Sequence, residues 1–145
     1  MADGSTIAAG YIGEEAGLTQ ASGVTWTTTG ATKTATSRTF TAGTWLIWGD
    51  VEFLFGSAFS PDGATSNNLS IANLSTTNNG FDATTRGYAN IAAFSVASSL
   101  ASRAAVKPTV YRFSSTTPVY ICGTVYFASQ TGGTMNGSIN GVRIA

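Results

Sequence analysis

The chain has 145 residues, 43% of them hydrophobic and only 10% charged, with seven basic residues balanced by seven acidic ones. That length fits one domain whose core is large enough to stand without disulfides or metal. The scattered Lys and Arg leave no basic footprint for a nucleic acid, the lack of histidine removes the commonest general base and metal ligand, and no run of about 18 apolar residues is present to cross a membrane as a helix.

Residues 1–9, "MADGSTIAA", read as a short arm before a domain over 10–145. Residues 1–17, "MADGSTIAAGYIGEEAG", have no basic region followed by an apolar core, so they do not read as a secretory signal, and synthesis and folding in a reducing cytoplasm are expected. β-Branched and aromatic residues then alternate with small polar ones, cut by Gly, Asn, Asp and Pro. Strands are expected near residues 10–16, 24–29, 33–41, 44–55, 68–74, 86–95, 105–114, 118–128 and 136–144. "TAGTW" places Gly43 between two strands, where a positive φ serves a tight turn. In 44–55, "TWLIWGDVEFLF", one face carries Trp45, Ile47, Val51, Phe53 and Phe55 and should be buried. The other carries Leu46, Trp48 and Leu54 beside Asp50 and Glu52.

"FSPDGATSNN" (Pro61, Asp62, Gly63) and "STTNNGFD" (Asn79-Gly80) carry turn signals. "NIAAFSVASSLASRAAV", residues 90–106, is the one helix candidate, on its alanines. Pro118 can open the next strand. In "PVYICGTVYFAS", Val119, Ile121, Val125 and Phe127 share a face, and Tyr120, Cys122, Thr124 and Tyr126 share the other. "SQTGGTMNG" reads as a hairpin connection. In the last strand Val142 and Ile144 form the apolar set, alternating with Gly141 and Arg143. Many short strands with regular turn signals argue for an all-β fold, an antiparallel β-sandwich of eight or nine strands, jelly-roll-like.

Candidate chemistry is sparse. Asp50 and Glu52 point the same way and could in principle serve glycoside hydrolysis, but adjacent acids of this kind are common on exposed faces, where an arginine of a neighbouring strand can pair with them. Glu14 and Glu15 suit an exposed edge or a salt bridge to a second chain. Asp62, Asn67 and Asn68 lack the acidic spacing of a calcium loop. Asn68, Asn73 and Asn136 open glycosylation sequons, which a chain rich in Ser and Asn produces by chance. The lone Cys122 lies in an apolar strand and reads as packing. No glycine-rich phosphate loop, HExxH, CxxC or GxSxG is present. The expectation is a non-enzyme without cofactor or metal. Ser and Thr supply 39 residues, so hydroxyls do much of the solvation. Such a surface repels neighbours weakly and suits dense packing against copies or a larger assembly. Trp48, with Leu46 and Leu54 on its face, is expected at such an interface.

The order of motifs resembles a β-sandwich domain of bacteriophage tail-fibre and other virion proteins. The matching stretches are Gly10-Tyr11-Ile12-Gly13-Glu14, then Ala42-Gly43 with Trp45, Ile47, Gly49, Val51 and Phe53, then "NLSIANLS", "PVYICGTVYFAS" and "GSINGVRIA". The resemblance implies a non-enzymatic structural module on the virion surface, homo-oligomeric, with a trimer favoured and a dimer possible. Tail-fibre domains of this kind end longer chains, whereas this chain begins nine residues before the matching region and has no heptad run for a shaft. The expectation is therefore a capsid decoration or cement protein partnered with the major capsid protein, whose assembly interface, covered by another subunit or another protein, comprises Leu46, Trp48, Leu54, Tyr11 and Ile12. The alternative is a tail-fibre or receptor-binding tip, partnered with a tail protein, whose exposed aromatics and loops 57–68 and 129–136 meet a host glycan. Neither expects a nucleic-acid or membrane partner.

Overall fold

A computed structural model describes residues 10–61, 69–90 and 101–145. Among them lie eleven strands and no helix: β1 (Glu15–Thr25), β2 (Thr32–Phe40), β3 (Gly43–Leu54), β4 (Ser57–Pro61), β5 (Leu69–Ser75), β6 (Gly87–Asn90), β7 (Ala101–Ala105), β8 (Thr109–Phe113), β9 (Thr117–Val125), β10 (Phe127–Thr131) and β11 (Thr134–Arg143). All pairings are antiparallel. The first sheet runs β1-β11-β3 and ends on an edge shared by β7, against residues 50–54, and β8, against 43–47. The second runs β2-β9-β5-β6, and β10 with β4 forms a separate ribbon. The two larger sheets pack face to face as a β-sandwich, as the period-two patterns predict.

The inner faces supply the core. Trp45, Ile47, Val51 and Phe53 of β3 are at most 1% exposed, and Val119 and Ile121 of β9 oppose them fully buried. On β11 the inward positions are Met135, Gly137, Ile139 and Gly141. Glycine stands there because the second sheet comes too close for a side chain. A Cβ on Gly137 would lie 2.7 Å from the Ala35 Cβ, and one on Gly141 2.6 Å from the Phe40 ring. Val142 is consequently half-buried on the outer face and Ile144 is exposed, the reverse of the parity expected for this strand.

Aromatic rings close both ends. Trp26 meets Phe127, Phe55 and Phe59 with centroids 5.2, 5.7 and 6.4 Å apart, under the β4–β10 ribbon. At the other end Phe40 packs on Trp45 at 5.1 Å and on Phe113 at 6.3 Å. There Arg143 lies over the Trp45 ring and pairs with Glu14 at 3.5 Å, their side chains 13% and 15% exposed. Arg143 also donates to the Ala42 carbonyl and to Thr41 Oγ1. Glu14 therefore has a partner within the chain. Gly43 has φ +143°, and a Cβ on it would strike the Arg143 guanidinium. The turn it serves leads from one sheet to the other and not into a hairpin.

The second sheet is buried on both faces at its centre. Ile71, Asn73, Cys122 and Thr124 face away from the core, yet none is more than 6% exposed. The connection between β5 and β6 lies over them. Asn73 Nδ2 donates to the Gly80 carbonyl at 3.0 Å. Asn79, at φ +55° as its turn pair with Gly80 predicts, accepts from the Thr34 amide at 2.8 Å, and the Asn79 amide donates to Thr34 Oγ1 at 2.9 Å. Thr85, 1% exposed, stands in for a strand: its hydroxyl donates to the Leu74 carbonyl and accepts from the Leu74 amide, both at 2.9 Å, just beyond the end of β6.

Several elements differ from expectation. Residues 10–13 form turns, and β1 starts at Glu15 and continues to Thr25 through two register shifts, which break its alternation. β4 occupies positions read as a turn, and β7 lies within the helix candidate, where pairing with β3 overrides alanine's propensity. The strand expected over 118–128 is two, divided at Tyr126, and β10 and β11 belong to different sheets and make no hairpin. The arm at 1–9, Asp62 to Asn68 and residues 91–100 of the helix candidate lie outside the described residues.

Candidate functional site

The outer face of the first sheet is where the candidate residues meet. Because β3 alternates, Leu46, Trp48, Asp50, Glu52 and Leu54 all face away from the core, each partly exposed. Registry adds their neighbours. Leu46 lies between Val142 of β11 and Val110 of β8, an apolar row across three strands. Val110 is 51% exposed and Trp48, beside that row, 37%. Val110 is not singled out in the sequence and Val142 reads only within the apolar set of the last strand, and only strand registry reveals them as one row with Leu46.

Two rows on, the face turns polar. Glu52 lies between Asn136 of β11 and Arg103 of β7, and Asp50 lies between Ser138 and Ala105. Arg103 approaches Asp50 at 3.8 Å and Glu52 at 3.9 Å. This is the arginine of a neighbouring strand that exposed paired acids call for. Asn136 Nδ2 donates to Glu52 at 2.9 Å, and its Oδ1 accepts from the Gly23 amide at 3.1 Å. The second irregularity of β1, between Ala21 and Val24, brings Ala21 and Ser22 to the rim. The result is a depression of about 290 Å³ lined by Ala21, Ser22, Asp50, Glu52, Arg103, Asn136, Gly137 and Ser138.

The structure thus brings Leu46 and Trp48 together and sets Leu54 apart from them, beyond the carboxylates. Tyr11 and Ile12 are 67% and 69% exposed in the turn before β1. That turn is tied to the end of β11 by the Gly13 amide, which donates to the Arg143 carbonyl at 2.7 Å.

The other candidate groups are placed as follows. Cys122 is buried, and burial pushes its thiol pKa up against weaker opposing hydrogen bonds from Thr34, Gly80 and Asn79. Asn73 is wholly buried with its amide on protein carbonyls, so its sequon cannot carry a glycan in the folded chain. The Asn136 amide is engaged with Glu52, and Asn68 and Asn67 lie outside the described residues. Among the described residues no three His, Cys, Asp or Glu side chains stand together as metal ligands. No family model matches this chain, and no curated protein or solved structure matches it.

Proposed function

We propose that this chain is a non-enzymatic structural protein of a bacteriophage-type virion, a decoration or cement protein that coats the head by docking through the apolar half of the first sheet's outer face. The observation that carries this reading is the Val142–Leu46–Val110 row with Trp48 at its border, a partly exposed apolar strip across three strands. Contiguous exposed apolar surface of this kind marks assembly surfaces, and a chain with 10% charged residues does little to repel neighbours. Tyr11 and Ile12 add two further exposed apolar side chains in the turn tied to the end of β11. The strand order supports the jelly-roll reading: β1-β11-β3 with β7 and β8, facing β2-β9-β5-β6, distributes the successive strands between two antiparallel sheets as two interlocked Greek keys do. The partners are other copies of the chain and the major capsid protein, with no cofactor.

The test is immunogold electron microscopy of virions from the genome that encodes the chain. Label over the head, lost when Leu46→Ser and Val110→Ser are introduced into a chain that still folds, is the expected result. Label confined to the tail end, or label on the head undiminished by the substitutions, overturns the proposal.

A further inference from the structure

We propose that the depression on the outer face of the first sheet binds a neutral saccharide. Its walls carry both signs of charge. Arg103 faces Asp50 and Glu52 from 3.8 and 3.9 Å, beyond hydrogen-bond reach. These ion pairs are longer than hydrogen bonds, so the guanidinium donors, the Asp50 oxygens and Glu52 Oε1 keep hydrogen-bonding capacity towards the opening, while Glu52 Oε2 accepts from Asn136. The depression carries two carboxylates and one guanidinium, so an anion is repelled, and a cation, though drawn to the carboxylates, leaves the guanidinium donors unmatched. A neutral molecule whose groups both donate and accept satisfies both at once. Vicinal hydroxyls on a sugar ring do this: one donates to a carboxylate while its neighbour accepts from Arg103.

Size and shape agree. The volume of about 290 Å³ is at the small end of ligand clefts, room for a ring with its neighbours outside. Trp48 stands on the same face two residues from Asp50, about 7 Å along the strand. Its exposed ring offers a flat apolar surface to the C–H face of a sugar seated against the carboxylates. The walls stand on paired strands, and Asn136, held by Glu52 and the Gly23 amide, fixes the Glu52 carboxylate. Saccharide recognition then belongs to this strand face and not to loops 57–68 and 129–136. The site shares only Trp48 with the border of the docking strip: the Val142–Leu46–Val110 row lies about 20 Å from Glu52 along β3, and titration of the free chain tests the site whether or not the assembly reading holds.

The experiment is a nuclear magnetic resonance titration of the isotope-labelled full chain with glucose, galactose, mannose and N-acetylglucosamine. Glucosamine and glucuronic acid serve as cationic and anionic counterparts. The expected result is that at least one neutral sugar shifts the Trp48 indole and Asn136 amide signals together, with a Kd of about 1–10 mM. Glu52→Gln and Trp48→Ala should each weaken it about tenfold or more, and Ser138→Leu, which fills the depression from an outward position, should abolish it. Three results overturn the proposal: no neutral sugar moves these signals, the shifts survive the substitutions, or only a charged sugar binds.

Discussion

Thr85→Val removes one oxygen and almost no volume, yet it should be among the more damaging single changes in this chain. The Thr85 hydroxyl takes the place of a strand partner for Leu74, bonding both its amide and its carbonyl at 2.9 Å, and the site is 1% exposed. Valine leaves both backbone groups buried without a partner. Each such group costs about 1–3 kcal/mol, and the extra methyl recovers only part of the loss, so the net cost is about 3 kcal/mol. Thr85→Ser keeps both bonds and loses one buried methyl, about 1 kcal/mol. In urea, with a slope of about 2 kcal/mol/M, the valine variant should unfold about 1.5 M earlier and the serine variant about 0.5 M earlier. Hydrogen exchange at the Leu74 amide should accelerate in the valine variant alone. If valine is as stable as serine, the hydroxyl is not acting as a strand partner and the reasoning fails.

Arg143→Met should cost about 2–4 kcal/mol in chemical denaturation. It strips Glu14 of its ion-pair partner and frees the Ala42 carbonyl, though partial exposure of the pair keeps the loss below that of a fully buried one. A loss under about 0.5 kcal/mol would show the latch to be idle. Burial, then repulsion from Asp82, pushes the Tyr111 pKa from 10.0 to about 12. The folded chain therefore keeps a proton that the unfolded chain gives up. The corresponding stability is whole below pH 10 and drains away as pH rises towards about 12. Ultraviolet titration should show a last tyrosine step near that pH, absent in Tyr111→Phe; an unchanged curve in that variant contradicts the assignment.

What was legible in the sequence is the part where one physical rule acted alone. The inward set of β3 and of β9 follows from strict alternation of large apolar residues, and the Asn79-Gly80 turn follows from its tolerance of positive φ. Legibility failed where the rule was masked. In β11 the inward positions at 137 and 141 are glycines, so the visible apolar residue Val142 gave the wrong parity. In β1 the register shifts reset the alternation, and its two ends read as separate strands. β7 carried the helical signature of alanine and lies in a strand because β3 offers it an edge. The candidate site shows the same limit. Asp50, Glu52, Leu46 and Trp48 were visible on one strand, but Arg103, Asn136, Val110 and Val142 come from three others, and only registry sets them side by side.

The shared edge of β7 and β8 has a bearing on solubility. A sheet margin with free amides and carbonyls templates the addition of foreign strands, and charged residues are the usual deterrent. This chain has few, but its margins are interrupted. β7 and β8 are five residues each, and between them the Val106 amide caps the Gly49 carbonyl at 3.0 Å. The opposite margin, β1, is bent twice by its register shifts. On the second sheet β6 spans four residues, and β2 shifts register beside Thr34, whose outward amide is taken up by Asn79. Among the described residues no margin of the two larger sheets offers an unbroken ribbon for another chain to zip onto, so molecules held at high local density can meet there through side chains without polymerising through their backbones.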